Sequence, residues 1–151
     1  MPVSASNLDK TRFMNVDLDI HSKLDLRPLV TALGEKISEN YVGRVRRTHE
    51  AHLELAWRHN QTPTSIILGF CKLIEALPRS ERKLWDSAKT RSFDIGIESP
   101  ERNTYFWSAV SPEAVRAAAD VGAQIAITVY GPMKVVKGAR KSTKAALSKK
   151  P

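Results

Sequence analysis

Between Met14 and Ile20, apolar and polar residues alternate without a break: Met14, Val16, Leu18 and Ile20 against Asn15, Asp17 and Asp19. Successive side chains of a strand point to opposite faces, so this period of two specifies a strand buried on one side and wet on the other. A sheet built on such a strand needs cover on one face only.

The rest of the chain supplies that cover. Asp25 is placed to cap a helix with Pro28 in its first turn; Leu29, Val30 and Leu33 form its apolar stripe and Gly34 ends it. Two strands are expected at roughly 39–46 and 49–57, the second alternating Ala51, Leu53, Leu55 and Trp57 against Glu50, His52 and Glu54. Thr62 and Pro63 open a helix along which Ile66, Ile67, Phe70, Leu73, Ile74 and Leu77 recur at helical spacing until Pro78 stops it. Ser80 is read as the cap of a short helix with Leu84, Trp85 and Ala88 inward. Strands follow at 93–97 and 104–110, then a helix from Ser111-Pro112-Glu113 to Gly122 and a last strand over 124–130. Trp57 and Trp85 lie on the apolar sides of their elements and are expected in the core. The order β-α-β-β-α-α-β-β-α-β predicts an α+β fold: a two-layer sandwich, mainly antiparallel, with helices on one face and ferredoxin-like split β-α-β units.

The strand Phe93-Asp94-Ile95-Gly96-Ile97, the helix opened by Ser111-Pro112-Glu113 and closed at Val121-Gly122, and the final strand to Tyr130 resemble a family of small bacterial α+β proteins of unknown function. The opening strand and the helix over 25–34 fit the same pattern. The likeness spans residues 13–131 and consists of structural punctuation; the long basic tail departs from it. It implies a fold and a bacterial cytosolic setting, and no site.

The chain has 151 residues, enough for one domain that removes roughly 70% of its unfolded surface from water. Its net charge of +8 is unevenly spread. Lys134, Lys137, Arg140, Lys141, Lys144, Lys149 and Lys150 lie in a segment with no acid, which leaves 17 basic residues against 16 acids in residues 1–133. The expected organisation is a flexible N-terminus over 1–11, one α+β domain over 12–133 and a disordered basic tail over 134–151. No apolar run is long enough to span a membrane, and the first twelve residues lack the apolar stretch of a signal peptide. The lone Cys71 leaves no intrachain disulfide or multi-cysteine zinc site, which suits a reducing cytoplasm, and its apolar helix face makes it a core residue rather than a nucleophile.

Five groups of residues bear on function. In Thr48-His49-Glu50-Ala51-His52-Leu53-Glu54 the two histidines are three apart in a strand pattern and point to opposite faces, so no metalloprotease helix is present. Glu50, His52 and Glu54 share a face, but no metal site or cofactor is expected from them. Arg44, Arg46 and Arg47 lie near a strand end, Arg44 and Arg46 on one side and Arg47 on the other, where they could grip phosphate or guard an edge. The sheet face turned away from the helices collects Asp17, Asp19, Glu50, Glu54, Asp94 and Glu98 beside His52. Aspartate is disfavoured in strands, and clustered carboxylates repel one another unless a cationic group meets them. Tyr105, Phe106 and Trp107 read as packing or an apolar patch, because the acidic neighbourhood repels nucleic acid. The tail, finally, has the composition of a polyanion-binding segment.

No nucleophile elbow or phosphate loop occurs, so no enzyme is expected. The leading expectation is a non-catalytic module of a small bacterial cytosolic protein. It binds a protein partner through Asp17, Asp19, Glu50, His52, Glu54, Asp94 and Glu98, in the manner of an immunity protein. The alternative is a nucleic-acid-associated protein that holds phosphates through the tail and Arg44, Arg46 and Arg47. Neither reading involves a membrane, and oligomeric state is not legible in the sequence.

Overall fold

The computed structural model describes residues 10–57, 61–100 and 105–132. Five strands and four helices follow one another as β1 (Arg12–Ser22), α1 (Arg27–Leu33), β2 (Ile37–Val45), β3 (Thr48–Leu55), α2 (Pro63–Glu75), α3 (Arg79–Ser87), β4 (Thr90–Glu98), α4 (Pro112–Asp120) and β5 (Gln124–Tyr130). A short 3-10 turn, Gly34–Lys36, joins α1 to β2. The α+β class expected from the periods is the class observed.

All five strands form one sheet in the order β2-β3-β1-β4-β5. The strand with the clearest alternation, β1, lies at its centre, antiparallel to β3 on one side and to β4 on the other. The β2–β3 pair is also antiparallel, whereas β5 lies parallel to β4, so the sheet is mixed. Parallel neighbours require a crossover connection, and the chain makes it through α4.

Burial follows the predicted alternation from Val16 onward. Met14, expected on the buried side, is 50% exposed, because a bulge between Phe13 and Asn15 shifts the register and Phe13 packs against the core instead. Val16, Leu18 and Ile20 of β1, Ala51 and Leu53 of β3, and Phe93 and Ile95 of β4 are buried. They form one cluster with Leu29 and Val30 of α1, Ile66, Phe70 and Ile74 of α2, Trp85 of α3, and Ala114 and Ala118 of α4. Phe70 stacks on Phe93 with ring centroids 5.8 Å apart. Since every helix contributes to this cluster, the helices share one face of the sheet and leave the other open.

Local signals set most helix ends. Thr62 and Ser65 form a reciprocal capping box at the start of α2. Ser111 Oγ accepts the backbone N–H of Ala114 at the start of α4, and its own N–H donates to Thr64 Oγ1, which ties α4 to α2. Asp25 acts one residue before the helix cap, accepting the N–H of Arg27. The start of α3 differs from expectation: Pro78 holds the cap position, and Ser80 sits inside the first turn with its hydroxyl donating to Glu81.

Two further expectations are corrected. Residues 105–110 form no strand, and residue 104 lies outside the described residues. Both hydrogen-bonding edges of β4 are taken, by β1 and β5, so this stretch has no edge of β4 to join. Tyr105 and Trp107 are exposed and Phe106 half-buried on the way to α4. Trp57 is 73% exposed rather than core, because β3 ends at Leu55 and its alternation stops there. The expected flexible N-terminus, apart from residues 10 and 11, and the basic tail from Lys134 to Lys150 lie outside the described residues. Among the described residues no helix is long and apolar enough to cross a membrane.

Candidate functional site

The open face is organised in rows that cross the strands. Directly opposite residues of paired strands share a face, so the register fixes which side chains meet. In the first row Asp17 of β1 lies opposite Asp94 of β4. On its other side it meets Glu54 of β3, to which it is hydrogen-bonded. The row ends in donors: Asn40 Nδ2 of β2 reaches Glu54 Oε1 at 3.0 Å, and Thr128 Oγ1 of β5 lies 2.9 and 2.7 Å from the two oxygens of Asp94. Three carboxyl groups thus stand side by side between an amide and a hydroxyl.

The second row runs through Tyr41, His52, Asp19, Ser92 and Gln124. His52 Nδ1 lies 2.6 Å from Asp19 Oδ1, its Nε2 lies 3.4 Å from Glu50 Oε2, and Gln124 Nε2 donates to Ser92 Oγ at 2.6 Å. In the third row His21 lies opposite Glu50, with its Nδ1 3.6 Å from Glu50 Oε1. Among the described residues, Asp17, Asp19, Glu50 and Asp94 form no ion pair with a lysine or arginine.

This crowding shifts two groups. Burial, and then the charges of Glu54, Asp19 and Asp94, push the Asp17 carboxyl from its ordinary 3.8 up to about 6. A proton on Asp17 also lets it donate to Glu54, which the side-by-side geometry favours. For His52, partial burial opposes the charged ring, but the hydrogen bond and charge of Asp19, followed by those of Glu50, outweigh it and raise its pKa. The histidine is therefore the local counter-charge of the second row.

The sequence-predicted residues divide clearly. Asp17, Asp19, Glu50, His52, Glu54 and Asp94 come together on the open face. Glu98 lies at the far end of β4, ion-paired with Arg12 and apart from the central group. The arginine trio is not arranged by strand alternation. Arg46 and Arg47 occupy the β2–β3 turn, Arg46 with φ of +56°, and Arg44 Nε donates to the Arg46 carbonyl. Arg44 lies opposite His49, a residue of the strand's helix-facing set, so it does not join the acidic face.

Asn40, Tyr41, Ser92, Gln124 and Thr128 were not singled out from the sequence, although they bound the acidic rows. Alternation along β5 marks Thr128 as open-facing, but it cannot reveal Asn40, the extra residue of a bulge between Glu39 and Tyr41.

The arrangement can take up protons and meet positive charge. Among the described residues, no group of three or more His, Cys, Asp or Glu side chains is placed to hold a metal ion. Cys71 is buried, and burial with nearby Glu75 and Asp120 raises its thiol to about 11, which keeps it protonated at neutral pH. A cleft of about 690 Å³ opens on the other side of the molecule, between Leu55 and Trp57 at the end of β3 and Gly69 and Leu73 of α2. It shares no residue with the acidic rows. No family profile, curated protein or solved structure matches this chain.

Proposed function

We propose that this chain is a non-catalytic protein-binding module whose open sheet face receives a basic partner. The row Glu54–Asp17–Asp94 carries the reading: three carboxyl groups held side by side on adjacent strands raise one another's energy, and cationic side chains from outside relieve it. His52 and Glu50 extend the surface beside that row. In a small bacterial protein such a face suits an immunity-type role, masking a basic effector. We also take the units β1-α1-β2 and β3-α2-β4 as the two halves of a ferredoxin-like split arrangement, to which β5 is an addition.

Titration of the full chain with a fluorescent oligo-arginine peptide tests the proposal. The triple substitution Asp17→Lys, Asp19→Lys and Asp94→Lys is expected to weaken binding more than tenfold with a native circular dichroism spectrum. The matching triple asparagine substitution, which keeps side-chain shape, is expected to weaken it in the same direction. Unchanged affinity in the folded asparagine variant overturns the reading. Preferential binding of duplex DNA, steeply salt-dependent and lost on removal of residues 134–151, would instead favour the nucleic-acid alternative that the acid-free run Lys134–Lys150 supports.

A further inference from the structure

The two edges of the sheet are built in opposite ways. An edge strand offers unpaired backbone groups, and proteins that stay apart blunt it with charge, glycine, proline or a bulge. The β2 edge carries all but proline: Glu39, Arg44, Gly43 and the bulge at Asn40. The β5 edge carries none of the four. Its sequence, Gln124-Ile125-Ala126-Ile127-Thr128-Val129-Tyr130, is uncharged throughout, and its register against β4 is unbroken.

Its side chains are also left uncovered. Ile127 and Val129 alternate with Thr128 on the helix-facing side, yet they are 65% and 60% exposed. Only Ile125, at the start of the strand, packs against the core. Among the described residues, nothing pairs with the outer edge of β5.

We propose that β5 is a homodimer edge, pairing antiparallel with β5 of a second copy about a two-fold axis through Ile127. The strand is complementary to itself in that register. On the helix side Ile127 meets Ile127 of the other copy, and Ile125 meets Val129. On the open side Gln124 meets Tyr130 and Ala126 meets Thr128. No pair brings like charges together, and the exposed apolar residues of both copies merge into one buried strip. A strongly basic or acidic strand finds no complement on this uncharged edge, so the occupant is a second copy rather than the partner of the acidic face. The product is a continuous ten-stranded sheet, with both acidic faces on one side and all helices on the other. This assignment stands whether or not the acidic face binds a protein.

Sedimentation and light scattering of the full chain at tens of micromolar test it. The expected mass is twice the 16.8 kDa of one chain. Ile127→Lys and Ile127→Glu place like charges opposite each other across the axis, and each is expected to weaken self-association roughly 100-fold. Because Ile127 is exposed, both variants are expected to keep the melting temperature of a folded monomer. An equimolar mixture of the two is expected to return to the dimer mass, since Lys then faces Glu. A monomeric wild-type chain overturns the proposal, including one that dimerises only once residues 133–151 are removed. So does a dimer that persists in Ile127→Lys, or a mixture that stays monomeric.

Discussion

Arg91 holds together parts of the chain that are distant in sequence. Its guanidinium donates to the carbonyls of Trp85 and Asp86 at the end of α3, each at 2.9 Å, and to that of Gly122 after α4 at 3.0 Å. It also lies 5.8 Å from the centre of the Trp85 ring, whose own Nε1 donates to the Val121 carbonyl at 2.7 Å. Helical spacing marks Trp85 as a core residue, and it is fully buried. Nothing in the run Thr90-Arg91-Ser92 marks Arg91, because its partners are backbone carbonyls that only the finished fold brings near. Arg91→Ala is expected to cost about 2–3 kcal/mol, since charge-assisted bonds to three carbonyls are lost together. Arg91→Lys is expected to recover less than half, because an ammonium cannot match the planar fork. Urea denaturation checks both, read as a fall in midpoint with an unchanged slope.

At the scale of elements, legibility follows the kind of signal each element carries. The strands β1, β3 and β5 were readable because one wet face enforces a period of two, and α2 because its buried stripe runs the length of the helix. The aromatic alternation of Tyr105, Phe106 and Trp107 imitates a strand, but both edges of the preceding β4 are already taken by β1 and β5, a fact of topology rather than of local pattern. The bulge at Asn40 is invisible for the same reason: a single extra residue leaves no mark on residue type. The helix stops were legible because backbone conformation dictates them. Gly34 and Gly122 have φ of +75° and +73°, where a side chain is strained. Gly122→Ala is expected to destabilise the chain by roughly 1–2 kcal/mol. A Cβ there also stands in contact with the Arg91 guanidinium, 3.4 Å from its nearest atom, so the two positions touch. A lowered melting temperature, with a smaller loss in the Arg91→Ala background than in wild type, is the expected result of a double-mutant cycle.

For the molecule as a whole, the acidic face sets folding and binding against each other as pH changes. Asp17, raised to about 6 from 3.8, binds a proton more tightly in the folded chain than in the unfolded one. Stability from this group therefore grows as pH falls from 7, is complete below about 3.8, and is absent well above 6. His52 works in the same sense: its raised pKa contributes stability that is full below the ordinary histidine value of 6.5 and is lost as pH rises through its folded value. The chain is accordingly expected to be more stable at pH 5.5 than at pH 8. After allowing for solvent screening at this half-exposed position, Asp17 contributes on the order of 1 kcal/mol of that difference. Asp17→Asn is expected to stabilise the chain at pH 8 by a similar amount and to flatten the slope between pH 4 and 7. Attraction for a cationic partner runs the other way, because a protonated Asp17 carries no charge. Affinity for the oligo-arginine peptide is therefore expected to fall as pH drops through 6 while the melting temperature rises. Asp17→Asn at pH 8 is expected to move part of the way toward the wild type at pH 5.5 in both respects, the His52 share being absent. An acidic face with no partner to meet would show the stability slope alone. Thermal melts and peptide titrations on the same pH series separate the two cases, and melting temperature and affinity rising together would exclude this coupling.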